Sequence, residues 1–250
     1  ANKAFSLLLH GRWREVLAFG QGALDTDPTN EGVAGYLVQA ARFDLSIGDP
    51  IELIPPQLRG TAAVAVGRVD ALRHRGMMPA WWEAARQALA AHPDDRHARL
   101  FAADADLDEI LRDEKVQRGH LLTLEQRARV TAAIGILRGE WDRARSSEGV
   151  VRPEDAAVCS NLVVAYIALD DLRAALEAAR QGLAAAPQDV ELAKRAALAA
   201  VEGNDDELAR DLFGRLPAGP DATILGFRHH AARGHWSEVA RIGRDQGDSI

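Results

Sequence analysis

The sequence predicts an all-α protein built from consecutive pairs of helices, and three observations support this prediction. First, apolar residues make up 47% of the 250 residues and aromatic residues only 5%, so the apolar content is mainly Ala, Leu and Val. Ala and Leu are strong helix formers, and Ala lets helices approach closely. Second, a Gly-x-Trp pattern recurs along the chain. Third, prolines recur at intervals that suit repeated helix pairs.

The pattern Gly-x-Trp-x-x-(Ala/Val) occurs three times in a chain that has five Trp. It lies at residues 11–16, 139–144 and 234–239, and Asp170 takes the place of Gly in a related copy before Leu172. Gly permits the backbone conformation that ends a helix, and the small residue suits a helix crossing. We therefore interpret the pattern as the corner between the two helices of a pair, with the Trp side chains in the core.

Prolines give a second measure of the repeat. Pro28, Pro93, Pro153 and Pro187 are separated by 65, 60 and 34 residues, which fits two, two and one copies of a unit of about 34 residues. The interval from the corner glycine to the proline is seventeen residues both from Gly11 and from Gly76. Read in this phase, the chain contains helix pairs that begin near Ala1, Glu31, Ala62, Arg96, Glu125, Ala156, Val190 and Pro220.

Three of these pairs are predicted to be irregular. The second helix of the Glu31 pair is interrupted by Pro50, Pro55 and Pro56, which permit only a short helix or a turn. The second helix of the Arg96 pair is ambiguous around residues 118–126. The second helix of the Val190 pair is short because Pro217 stops it.

The most regular copy covers residues 156–189 and resembles the tetratricopeptide repeat, a helix–turn–helix unit of about 34 residues. Leu162, Tyr166, Ala175 and Pro187 occupy characteristic places of that family, whereas Val163 and Ala179 depart from it. The resemblance implies a right-handed α-solenoid of about seven to eight tetratricopeptide-like pairs, forming one domain over residues 1–250. Because the chain lacks an initiator Met and enters in the middle of a repeat, we expect a fragment of a longer protein.

Composition and motifs argue against several classes of function. The formal net charge of −7, with both signs interspersed, disfavours nucleic-acid binding, and no apolar run is long enough for a membrane span. The single cysteine, Cys159, excludes an internal disulfide framework. His229, His230 and His235 lie close in sequence but lack the carboxylate or thiolate help of a metal site. With no nucleophile elbow, phosphate loop or paired catalytic carboxylates, we expect no enzyme activity, no cofactor and no metal.

The family resemblance implies that the first helix of each pair lines a concave groove that binds a protein or peptide. When the groove-facing positions of that family are mapped onto this sequence, one end of the groove carries Arg, Lys and Asn side chains, and the middle carries the acidic Asp104 and Asp108. An acidic partner would suit the basic end, because Arg and Asn form charge-assisted hydrogen bonds with carboxylates. The residues predicted to bind a partner are Tyr36, Arg42, Arg73, Arg129, Asn161, Lys194, Arg195 and Arg228.

Some family members hold a terminal carboxylate in a clamp, and here Asn161 and Arg195 match two of its places, with Arg129 as a replacement for a third. Ala133 and Glu191 occupy the remaining places, so the clamp is incomplete.

The sequence therefore predicts a non-catalytic scaffold for a protein or peptide. Two alternatives stay open. One is a regulatory or substrate-presenting domain of a larger enzyme or secretion machine, such as a glycosyltransferase or an exopolysaccharide exporter. The other is a sugar-binding solenoid, for which only Tyr36 and Phe43 offer aromatic groove residues.

Overall fold

The computed structural model describes residues 2–146, 152–217 and 219–247. This part of the chain contains fourteen α-helices and two short 3₁₀ helices and no β-strand, which confirms the all-α fold class. The helices form two compact units, residues 1–113 and residues 114–250. Among the described residues, no helix combines the length and the apolar character that a membrane crossing needs.

In the first unit, four of the six α-helices form two consecutive pairs, and the other two lack a regular second helix. Helix α3 (Glu31–Ala41) is followed by 3₁₀ turns at Pro50–Leu53 and Pro56–Leu58 instead of a second helix, as the prolines predicted. Helix α3 therefore packs directly against α4. The helices are α1 (Asn2–Leu9), α2 (Trp13–Thr26), α3 (Glu31–Ala41), α4 (Ala62–His74), α5 (Met78–Ala91) and α6 (Arg96–Arg112).

In the second unit, each helix from α8 onwards packs against the next one along the chain. The second helix of the Arg96 pair is reduced to the four residues of α7, and α12 ends at Arg215, shortly before Pro217. The helices are α7 (Glu114–Gln117), α8 (Leu124–Ser146), α9 (Pro153–Ala168), α10 (Leu172–Ala185), α11 (Val190–Glu202), α12 (Asp206–Arg215), α13 (Pro220–Ala232) and α14 (Trp236–Gly247).

The corners of five helix pairs share one backbone geometry. Each has a residue with φ between 57° and 68°, in the left-handed region that Gly adopts without strain and Asn or Asp tolerates. The next residue donates its N–H to the carbonyl five positions earlier, at 2.8–3.0 Å, which is the helix-ending bond of a Schellman motif. The corner prediction is thus confirmed at Gly11, Gly76, Asp170 and Gly234, and Asn204 adds a fifth corner.

The copy of the pattern at residues 139–144 is not a corner, and this prediction was wrong. Gly139 lies inside α8, a continuous helix of 23 residues, so the predicted Glu125 pair is a single helix. A Gly within a helix costs only about 1 kcal/mol relative to Ala, and burial of the neighbouring apolar side chains outweighs this cost. Trp141 is indeed in the core, with 1% of its surface exposed, but it reaches the core from a helix interior.

These helix pairs, with their shared corners and small residues at the crossings, form a fold of repeated helical hairpins of the kind that the tetratricopeptide resemblance implies. At the α3–α4 crossing, a methyl group added to Gly35 would lie 3.1 Å from Cβ of Ala63. At the α9–α10 crossing, one added to Gly182 would lie 2.6 Å from Sγ of Cys159. A larger side chain would therefore require the neighbouring atoms to move, slightly at Gly35 and further at Gly182. The number of repeats, the right-handed course and the single domain over residues 1–250 stay predictions.

Candidate partner-binding clefts

An opening in the first unit, here called the wide cleft, lies between the first helices α3, α4 and α6 and has a volume of about 530 Å³. Small residues of α3 and α4 line it, and because they leave space where larger side chains would project, they explain its width. Aromatic and polar side chains complete the walls. The lining comprises Gly32, Gly35, Ala62 and Ala63, then Tyr36, Phe101 and Val66, and the polar Gln39, Asp70, Asp95 and His97.

Two of the predicted binding arginines, Arg42 and Arg73, are engaged within the first unit. Nη1 of Arg42 lies 2.9 Å from Oδ2 of Asp70, and Nη1 of Arg73 lies 3.0 Å from Oδ2 of Asp104. Each ion pair joins one first helix, or its C-terminal end, to the next. The guanidinium of Arg42 also stacks over the ring of Phe43 at 4.6 Å. Both arginines therefore connect successive helices, and their role in partner binding stays a prediction.

The predicted acidic middle of the groove is likewise occupied by internal contacts. Asp104 accepts the bond from Arg73. Asp108 accepts from Nε1 of Trp82 at 3.1 Å and from Nε of Arg112 at 2.8 Å. A carboxylate that already accepts such bonds has less negative charge to offer a ligand.

In the second unit, the narrow cleft lies between α11 and α13 and has a volume of about 230 Å³. Leu198, Ile224 and Leu225 form its apolar part. The predicted residues Lys194, Arg195 and Arg228 all line it, so the structure brings three of the eight predicted binding residues together.

Most of the positive charge of the narrow cleft is neutralised inside the protein. Nζ of Lys194 lies 2.7 Å from Oε1 of Glu191 and 2.8 Å from Oδ2 of Asp221. The hydrogen bond from Lys194 is the main cause that lowers the pKa of Asp221, and the bond to Asp221 is the main cause that raises the pKa of Lys194. Nη1 of Arg228 pairs with Glu202 of α11 at 3.2 Å.

Arg195 differs from these neighbours. It is exposed and makes no hydrogen bond or short ion pair within the described part of the chain, and its charge acts on Asp221 only over a longer range. Arg195 is therefore the cation of this cleft that an external carboxylate can reach most readily.

The remaining predicted residues, Arg129 on α8 and Asn161 on α9, do not line either cleft. Both interact with other groups of the protein. Sequence reasoning missed Gly32, Ala62, Ala63 and Phe101 as residues of the candidate site. The spacing of Gly32 and Gly35 on one helix face was the available signal, because small residues three positions apart leave a shallow strip along a helix.

No group of three His, Cys, Asp or Glu residues in the described ranges is arranged to hold a metal ion. Cys159 is fully buried and its Sγ donates to the carbonyl of Ala178 at 3.4 Å. Burial raises the pKa of the Cys159 thiol to about 12, so it is a poor nucleophile at neutral pH.

Comparison with known proteins does not assign a family. No protein-family model and no curated protein matches the sequence. Among solved structures, the chain is similar to the MamA RS-1 ArsTM double mutant, with 16% identity, a TM-score of 0.43 and coverage of 95% of this chain and 97% of that one. It is also similar to a chain of the APC/C heterotetramer Cut9–Hcn1, with 16% identity and a TM-score of 0.34 over 96% of this chain. This chain covers 54% of that second chain, about half its length.

Proposed function

We propose that this chain is a non-catalytic scaffold that binds a protein or peptide partner on the face formed by its first helices. The observation that carries this proposal is the wide cleft, in which three successive first helices open onto one volume of about 530 Å³. That volume falls within the range of roughly 300–1,000 Å³ that is typical of ligand sites.

The chemistry of the wide cleft suits one large apolar side chain of a partner. Its walls offer the rings of Tyr36 and Phe101, and the small residues of α3 and α4 leave room beside them. Buried aromatic anchors in such pockets supply much of the binding energy in protein interfaces, while the polar rim fixes their orientation. Gln39 and His97 are placed on the lining to do this through hydrogen bonds to a peptide backbone.

The narrow cleft offers a second contact of different character. Because Lys194 and Arg228 are paired internally, the attraction for an acidic partner rests on Arg195 alone rather than on a broad basic surface. We propose that a carboxylate of the partner pairs with Arg195 beside the apolar residues Leu198 and Ile224.

The test is a selection of random peptides displayed on phage against the full chain, followed by affinity measurements with the enriched peptides. Ala63→Leu fills the wide cleft, since Ala63 is exposed and lines it. Ala80→Leu is the matched control, because Ala80 is an exposed residue of α5 that does not line the cleft. We expect Ala63→Leu to weaken binding by about tenfold or more, as loss of an anchor site of over 1.4 kcal/mol would, and Ala80→Leu to leave it unchanged.

Circular dichroism and urea unfolding establish that both variants fold like the parent chain. If enriched peptides bind the two variants with equal affinity, the wide cleft is not the binding site. If no peptide is enriched over an empty support, the proposal of a peptide-binding scaffold fails.

A further inference from the structure

Three histidines meet at the corner between α13 and α14. The ring centroids of His229 and His230 are 5.2 Å apart, and those of His230 and His235 are 5.8 Å apart. The ring of His229 also meets the ring of Phe213, on α12, edge-on at 5.4 Å. Only 7% of the His229 surface is exposed, so this imidazole forms part of the contact between α12 and α13.

The environment of the His229 ring suits neutral imidazole better than imidazolium. Nδ1 of His229 and Nδ1 of His230 are buried and have no hydrogen-bond partner in the part of the chain that the structure describes. Arg233 lies close by and donates from Nη1 to the carbonyl of His229 at 3.2 Å. A proton added to His229 would therefore enter a poorly solvated position beside a permanent positive charge.

The helices around this cluster carry charged groups of both signs. Asp206 on α12 pairs with Arg233, and Glu238 on α14 pairs with Arg241 at 2.9 Å. Arg210 lies on α12, and the Glu202–Arg228 pair joins α11 to α13. Asp206, Glu238 and Glu202 thus already have arginine partners, so little negative charge remains to stabilise an imidazolium at His229.

The pKa of His229 is shifted in the direction that this geometry favours. Burial is the main cause that lowers the pKa of His229 below its ordinary value of 6.5, and the charges of Arg233 and His230 lower it further, while Asp206 acts in the opposite sense. Because the pKa is lower in the folded state, the unfolded or released state binds protons first as pH falls. The stability that neutral His229 contributes is therefore complete above about pH 6.5 and is lost as pH falls below that value.

We propose that the histidine cluster is a pH-sensitive latch whose protonation releases the helix pair α13–α14 from α12. The latch also controls the narrow cleft, because Ile224, Leu225 and Arg228 of α13 form one of its walls. Release of α13 in mildly acidic conditions removes this wall, so that Ile224 no longer lies beside Arg195 of α11. This inference rests on the histidine contacts and holds whatever partner the chain binds.

The test is amide hydrogen exchange of the full chain at about pH 7.5 and about pH 5.5, corrected for the intrinsic pH dependence of exchange. We expect the opening equilibrium of α13 and α14 to rise by at least about threefold at the lower pH, while that of α9 and α10 stays constant. His229→Phe keeps an aromatic ring against Phe213 and removes the proton site. His120→Gln changes an exposed histidine between α7 and α8 and is the matched control.

The latch predicts that His229→Phe abolishes the pH-dependent opening and that His120→Gln retains it. The double variant His230→Gln with His235→Gln keeps the buried His229 ring, and we expect it to reduce the pH-dependent opening. It therefore tests the latch even if His229→Phe does not fold. An equal opening at both pH values overturns the proposal, as does an opening shared by α9 and α10. So does a His229 pKa at or above its ordinary value in an NMR titration of the parent chain.

Discussion

The two compact units use the same corner geometry but leave openings of different size and chemistry. In residues 1–113, α3 lacks a second helix, packs directly on α4 and borders the wide cleft of about 530 Å³. In residues 114–250, the pairs α9–α10, α11–α12 and α13–α14 are complete, and the narrow cleft measures about 230 Å³. The comparison indicates that an irregular repeat, rather than a cluster of charge, marks the strongest candidate site.

If the regular helix pairs are tightly packed, the thiol of Cys159 at the α9–α10 crossing is inaccessible to reagents. We expect its labelling rate to show the largest effect of the three predictions. Because Cys159 is the chain's only cysteine, its labelling reports on the second unit alone. Its thiol is fully buried and has a pKa raised to about 12. We expect Ellman's reagent at about pH 8 to react more than roughly a thousandfold more slowly with the native chain than with the urea-unfolded chain. Rapid native labelling would mean that the α9–α10 crossing is open.

The α3–α4 crossing beside the wide cleft gives the next largest effect. Gly35→Leu places a side chain against Ala63 at the crossing, where an added Cβ would already be 3.1 Å away, and we expect a loss of about 1–3 kcal/mol in the free energy of unfolding. Gly22→Leu is the matched control, since nothing lies within 4 Å of a Cβ at this exposed position of α2. There we expect a gain of up to about 1 kcal/mol from helix propensity. Urea unfolding measures both, and equal changes would show that the crossing does not need glycine.

The smallest effect concerns charge neutralisation in the narrow cleft. We expect Lys194→Met to raise the pKa of Asp221 towards its ordinary value of 3.8, because the hydrogen bond from Lys194 is the largest cause of its depression. Arg195→Met, the control, should raise it less, since the charge of Arg195 is the smallest of the causes. NMR titration of the Asp221 carboxyl carbon distinguishes the two. A larger rise in the arginine variant would show that Arg195, not Lys194, faces Asp221.

The corners could be predicted because a Schellman motif is local, and its demand for a left-handed residue is visible in a few sequence positions. The same locality explains the error at Gly139. The surrounding Leu137, Arg138 and Glu140 are good helix formers, so nothing nearby ends the helix, and a single Gly cannot do so. The interruption after α3 was predictable for the opposite reason, because three prolines within seven residues exclude a regular helix.

The candidate site was less predictable than the fold. Lys194 and Arg195 were predicted on groove-facing positions, and the structure does place both in one cleft. Their acid partners could not be foreseen, because Asp221 is 27 positions from Lys194 and belongs to another helix pair. A cleft formed by small residues is also hard to read from sequence, since the same residues serve equally well in a close helix crossing.

Helix α8 has a consequence for the way the second unit unfolds. Arrays of hairpins can open one element at a time, and each corner is a natural boundary between elements. Helix α8 runs for 23 residues, about 34 Å, without such a boundary, and it packs along α9. It therefore melts as a single cooperative segment, and a perturbation at either end affects 23 residues of helix, whereas the helices α9 to α14 have 10–16 residues.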